Sequence, residues 1–234
     1  MSGRGVRAVS FDATGTLIHS PRLGEIYSEV LARHGYAVTP ARARSLVRTV
    51  WQELDIAAGR DGDCFASHPG GARGWWRRFL ERFCEHLGGP PPSRFAAAEL
   101  FDRFAAAAAW EVYPDVRPAL AALRRSGLAL AVIANWDERL PALLEALGLG
   151  DAFATVVTSQ GAGVRKPHPL IFQTALGLLD LAPEEVLHVG DRRLEDVEGA
   201  QALGMRAVWL TRDAPGGIRG LAGIWGQLQQ RSPC

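Results

Sequence analysis

The chain has 234 residues, 47% hydrophobic and 22% charged, which is enough apolar material for a sizeable core and long enough for a main domain carrying an insertion. Its 26 basic and 25 acidic side chains leave a formal charge of +1, so neither nucleic acid nor an anionic membrane surface is expected as a partner. The N-terminal residues lack the apolar run of a secretory signal, and the apolar stretch 128–134 is far too short to span a bilayer, so a soluble protein is expected.

In chain order, Val6-Arg-Ala-Val-Ser-Phe11 reads as a short strand that stops at Asp-Ala-Thr-Gly. Residues 24–109 offer no convincing strand. Helical apolar spacing predicts helices over 25–34, 40–57, 74–87 and 95–110, separated by Gly and Pro clusters at 59–74 and 88–93. After Tyr113-Pro114 the rhythm changes to helix 115–126, strand 128–134, helix 137–147, strand 154–158, helix 169–179, strand 186–189, helix 195–203 and strand 206–210. Strands alternating with helices of this length predict right-handed crossovers and a parallel sheet. The expected fold class is α/β, a Rossmann-like parallel sheet core with an inserted all-helical cap domain. Its boundaries are expected at 1–18 and 111–234 for the core and 19–110 for the cap.

Two residue counts bear on chemistry. Cys64, Cys84 and Cys234 lack metal-type spacing and cannot all pair with one another, which favours a reducing, cytoplasmic setting. The chain holds 25 arginines but a single lysine, Lys166. Where arginine has replaced lysine almost throughout, a surviving lysine is either chance or a site that needs a compact ammonium rather than a planar fork.

In an open parallel sheet, ligands sit beyond the carboxyl ends of the strands. The residues that fall there are Asp12 and Thr14, then Asn135, then Arg165 and Lys166, then Asp191 and Asp196. Each alone could be a helix cap or a turn residue. Several carboxylates gathered on one edge call for a compensating cation, and magnesium favours such oxygen ligands.

Four motifs in this order resemble those of the haloacid dehalogenase superfamily. Phe11-Asp12-Ala13-Thr14-Gly15-Thr16-Leu17 is similar to the first motif, and Val132-Ile133-Ala134-Asn135 to the second. Lys166-Pro167 resembles the third, and Gly190-Asp191 followed by Asp196 the fourth. The insertion resembles the small helical cap of the superfamily's first subfamily. Gly24-Glu-Ile-Tyr27 and Trp75-Trp76 resemble the group of haloacid dehalogenase-like hydrolase domain-containing proteins three. The resemblance implies that Asp12 is a nucleophile forming an aspartyl phosphate and that Lys166 neutralises phosphoryl oxygens. It also implies that Mg2+ is held by Asp12, the Thr14 carbonyl and Asp191, with Asp196 supporting. Thr14, Asn135 and Lys166 are the implied substrate-binding residues, although Asn135 serves equally well as a strand-end cap.

Two departures stand out. Where the phosphatases carry an acid–base Asp, this chain has Thr14, which does not titrate near neutral pH. Threonine also stands there in the family's phosphoenzyme-forming ion pumps. Where the family usually has a phosphate-binding hydroxyl, this chain has Ala134. The expected function is a magnesium-dependent hydrolase of a small phosphorylated metabolite, slow on alkyl esters. The alternatives are a weakened protein that binds metal, phosphate or a partner, and a metal-independent dehalogenase acting through Asp12 on carbon. Specificity is expected from the cap, with Tyr27, Arg60, Arg73, Trp75 and Trp76 as candidates, the two tryptophans serving either its core or its substrate wall. Trp136 either lines the pocket mouth or packs core against cap, and Arg192 either binds a substrate anion or pairs with Glu195. The histidines at 19, 34, 68, 86, 168 and 188 are scattered, so no zinc site is expected.

Overall fold

The structure, a computed structural model, describes residues 5–58, 62–212 and 215–229. Arg60, a candidate for cap specificity, and the third cysteine, Cys234, lie outside them. Strand β1 (Ala8–Phe11) leads through a two-residue strand β2 (Ile18–His19) into four helices, α1 (Leu23–Arg33), α2 (Pro40–Ala58), α3 (Gly71–Glu85) and α4 (Arg94–Ala105). The chain returns through β3 (Glu111–Val112), which pairs antiparallel with β2. It then alternates: α5 (Val116–Arg125), β4 (Ala129–Ala134), α6 (Leu140–Ala146), β5 (Thr155–Thr158), α7 (Ser159–Ala162), α8 (Pro169–Leu179), β6 (Val186–Gly190), α9 (Gly199–Ala202), β7 (Arg206–Trp209) and α10 (Ile224–Gln229).

The five longer strands form one parallel sheet in the order β5-β4-β1-β6-β7. This is the expected Rossmann-like α/β fold, with β1 central. Strands covered on both faces become continuous apolar runs, as in Ala-Leu-Ala-Val-Ile-Ala of β4. Alternate residues feed two cores. Val9 and Phe11 pack with residues of α5, α6 and α10 on one face, and Ala8 with residues of α8 and α9 on the other. The helices α1–α4 close around a third core of their own, built from side chains such as Val30, Val50, Phe79 and Phe83.

The observed elements differ from the predicted ones where side chains compete for the backbone. The helix expected over 95–110 stops at Ala105, and the Trp110 indole donates to the Phe104 carbonyl, 3.0 Å away, before the chain turns into β3. Helix α6 starts at Leu140 rather than 137, because the Asp137 carboxylate accepts from both the Arg139 amide and its guanidinium. The helix expected over 195–203 opens as a wider π-helical turn, Arg193–Glu198, a form often met at functional sites. The β2–β3 ribbon is too short to leave any periodic signal. No helix among the described residues is long and apolar enough to cross a membrane.

Phe83 is fully buried, its ring 5.2 Å from that of Tyr27. Phe83→Ala should therefore cost about 3–5 kcal/mol through lost burial and a residual cavity, read as a lowered urea midpoint.

Candidate active site

The sheet's carboxyl edge gathers the candidate residues. Asp12 directly follows β1, and its amide donates to the Val189 carbonyl of the neighbouring β6 at 2.9 Å. Asp191 directly follows β6, and Asp196 sits on the π-helical turn beyond it. One carboxylate oxygen from each of Asp12, Asp191 and Asp196 lies within 4.8 Å of the others. Lys166, from the loop between α7 and α8, is 1% exposed and stands between two of them. Its ammonium donates to Asp12 Oδ1 at 2.7 Å and to Asp196 Oδ1 at 2.5 Å. Asn135, just after β4, holds that loop: its Oδ1 accepts from the Lys166 amide at 2.7 Å and its Nδ2 donates to the Lys166 carbonyl at 3.1 Å.

Burial and these charges set the protonation. Burial pushes the Asp12 carboxyl up to about 7, against the pull of Lys166 and with added repulsion from Asp196 and Asp191. Burial likewise raises Asp191 to about 6, with Asp196 adding to the effect. Burial would also raise Asp196, but Lys166 and the His188 ring outweigh it and hold the carboxyl well below the usual range. For Lys166 burial opposes the charge, and the Asp12 and Asp196 carboxylates more than restore it, keeping the ammonium protonated. His188 lies under the site, its Nδ1 paired with Ser10 Oγ at 2.9 Å and its Nε2 3.3 Å from Asp196 Oδ1; burial lowers its pKa, so the ring is neutral.

The donor set suits a hard divalent cation. Three carboxylates face one ammonium, which leaves the ionised cluster two charges negative. Asp191 Oδ1 is buried and has no hydrogen-bond partner, an unfavourable state for a carboxylate oxygen unless something positive meets it. Asp196 is differently placed. Its Oδ1 takes Lys166 and its Oδ2 takes the Arg192 amide at 2.9 Å, so it stands behind the other two. Two glycines permit this crowding. A Cβ on Gly190 would fall 2.1 Å from Asp196 Cγ, and one on Gly15 would fall 2.4 Å from Asp191 Oδ2, at a φ of +88° that also favours glycine.

The remaining predicted residues divide. Thr14 is exposed, and its hydroxyl oxygen accepts from the Trp136 indole at 2.9 Å. Ala134 is fully buried in the core of the sheet rather than at the site. Arg192 donates to Glu195 Oε1 at 2.6 Å, and Glu195 Oε2 accepts from Asn135 at 3.0 Å. Trp75 belongs to the core of the helical unit, whereas Trp76 reaches out and donates to Asp137 Oδ2 at 2.8 Å. Arg73 pairs with Asp102 on the surface and lies over Phe101.

Above the carboxylates is a cavity of about 480 Å³ between the sheet edge and α1–α4, whose lining includes Asp12, Thr14, Asp191, Tyr27, Trp76 and Trp136. Sequence reasoning passed over the pair Asp137–Arg139 that borders it. Arg139 Nη2 lies 2.5 Å from Asp137 Oδ2, Arg139 Nη1 donates to the Phe101 carbonyl at 2.9 Å, and its guanidinium covers the Phe101 ring at 3.8 Å. An acid and a base two residues apart just past a buried strand was the available signal.

The chain as a whole has known relatives. A family model described as haloacid dehalogenase-like hydrolase matches residues 6–204. The human haloacid dehalogenase-like hydrolase domain-containing protein 3 is 34% identical over 207 residues, spanning 86% of this chain and 80% of that one. Among solved structures, a HAD phosphatase from Thermococcus onnurineus is similar with a TM-score of 0.67 and 27% identity, over 96% of this chain and 98% of its own. An L-2-haloacid dehalogenase from Xanthobacter autotrophicus is similar with a TM-score of 0.66 and 26% identity, over 90% and 79%. Fold, family match and relatives agree that this chain belongs to the haloacid dehalogenase-like hydrolases.

Proposed function

We propose that the protein is a magnesium-dependent phosphoryl hydrolase of small phosphorylated metabolites, working through an aspartyl phosphate on Asp12. The observation that carries this reading is the cluster of Asp12, Asp191 and Asp196 with the buried Lys166 between two of its members. Magnesium would be held by Asp12, the Thr14 carbonyl and Asp191, with Asp196 behind them, and would offset negative charge on the carboxylates and on the entering phosphoryl oxygens.

Asp12 attacks phosphorus with the carboxylate oxygen that Lys166 does not bind. The bond from phosphorus to the leaving oxygen breaks, and that oxygen departs with the electron pair. Its proton comes from solvent, because the Thr14 hydroxyl is not an acid at neutral pH. Water then adds to phosphorus, releases inorganic phosphate and restores the Asp12 carboxylate. Lys166 keeps Asp12 oriented and faces the phosphoryl oxygens as a point charge. Asn135 acts as a positioning residue through its two bonds to the Lys166 backbone. In this reading 19–110 is a cap that closes the cavity over a core of 1–18 and 111–234. The free thiols of Cys64 and Cys84 support a cytoplasmic setting.

A second reading, binding of metal and phosphate without useful turnover, is favoured by the Thr14 hydroxyl being engaged by Trp136. A dehalogenase acting on carbon is disfavoured, since it would leave the stranded Asp191 oxygen without purpose.

Hydrolysis of acetyl phosphate should require magnesium and fall to background in Asp12→Asn. A folded variant as active as the parent would sink the hydrolase reading. Thr14→Asp should raise kcat on alkyl monoesters by at least about tenfold, within the range general acids supply. The raised carboxyls set a pH dependence. In the folded, cation-free protein Asp12 and Asp191 hold protons that the unfolded chain has released above about pH 4. Their contribution to stability is therefore lost as pH rises through 6 to 7. Protons compete with magnesium over the same window, so the rise in Tm on adding magnesium should be larger at pH 8 than at pH 5. Scanning fluorimetry would measure it.

A further inference from the structure

Resting on the hydrolase reading above, we propose that the substrate's leaving group is aromatic, making the preferred class aryl phosphate monoesters. Two independent features of the cavity converge on this.

The first is the absence of a usable acid among the described residues that line it. Thr14 does not titrate, and no histidine is present in the lining. Asp137 is 1% exposed and bound by Arg139 and the Trp76 indole. Glu195 accepts from Asn135 and Arg192. Asp12 and Asp191 belong to the nucleophile and cation set. Burial raises the pKa of the Tyr27 phenol, which also lines the cavity. With these described residues the leaving oxygen departs unprotonated. A phenolate tolerates this because its charge spreads into the ring, whereas an alkoxide does not. In the step, the carboxylate of Asp12 forms its bond to phosphorus, the phosphorus–oxygen bond breaks toward the phenolate, and the phenolate takes its proton from water after leaving.

The second feature is the wall. From Thr14, two residues after the nucleophile, a file of rings runs into the helical unit. The Trp136 indole donates to Thr14 Oγ1. Its ring centroid is 5.2 Å from that of Trp110, which is 6.1 Å from Phe104, which in turn is 5.7 Å from Tyr27. Val47 and Trp51 of α2, both only partly buried, also line the cavity. Such a surface rewards flat apolar contact through ring packing and area burial. Against these rings a hydroxylated alkyl group would have its polar atoms stripped of water; Arg48, Gln52, Arg165 and Arg192 also line the cavity.

The test compares kcat/KM of the full chain with magnesium on phenyl phosphate, 2-naphthyl phosphate and glycerol 3-phosphate, with acetyl phosphate and Asp12→Asn as the reference for the reaction itself. Phenol and naphthol leave with similar basicity, so their difference isolates the apolar contact. The naphthyl ester should exceed the phenyl ester by about tenfold, and both should exceed the glycerol ester by at least about a hundredfold. Val47→Gln, which sets an amide into the wall, should pull the naphthyl-to-phenyl ratio toward one. If acetyl phosphate is cleaved in an Asp12-dependent way while naphthyl is no better than phenyl, or Val47→Gln leaves the ratio unchanged, the aromatic leaving group is wrong and the hydrolase stands. Acetyl phosphate cleaved no faster by the parent than by Asp12→Asn overturns both.

Discussion

Lys166 places a full positive charge where water does not reach, between Asp12 and Asp196 at 2.7 and 2.5 Å. A buried ammonium is tolerable only when its neighbours supply the solvation it lost, and removing one partner leaves an uncompensated charge. The arrangement binds three chain segments together: the end of β1, the turn after β6 and the loop before α8. It also explains why a chain that otherwise uses arginine keeps one lysine here. A compact ammonium donates to two carboxylates from a gap that a planar guanidinium would not share in the same geometry.

The parallel sheet makes this meeting possible. Adjacent strands β4, β1 and β6 run the same way, so the residues that follow them emerge side by side. Burial disfavours the charge of the carboxylates gathered there and their mutual repulsion adds to it, which is why Asp12 and Asp191 titrate above the usual carboxylate range. Around them a second ring of bonds sets positions: Asn135 on the Lys166 backbone, Ser10 and His188 beneath Asp196, and Glu195 joining Asn135 to Arg192. Each is satisfied within the protein. The contrast with the unpartnered Asp191 oxygen marks where the site looks outward.

The helical unit supplies much of the cavity's wall. Its aromatic side chains serve two ends, since rings such as Tyr27 fill its own core and also face the cavity. Arg139 fastens the unit to the sheet edge, paired with Asp137, bonded to the Phe101 carbonyl and covering the Phe101 and Trp76 rings.

Much of this was written in the linear chain. Buried apolar runs such as 128–134, punctuated by glycine, specify strands of a covered parallel sheet, and polar residues placed just past each run specify its reactive edge. Asp12, Lys166, Asp191 and Asp196 were legible for that reason, as was the pairing of Arg192 with Glu195. What one dimension could not carry were relations between distant segments. Asn135 reads as a strand-end residue, and only the fold shows its amide holding the backbone of Lys166. Trp75 and Trp76 are neighbours in sequence with ring centroids 4.9 Å apart, yet Trp75 is buried in the helical core while the Trp76 indole also reaches Asp137. Local spacing determined the strands, the helices and the chemistry available at the sheet edge. The tertiary structure alone decided which two carboxylates the lysine pairs with, which carboxylate oxygen is left unpartnered and which rings wall the cavity, because burial and charge are properties of neighbours in space.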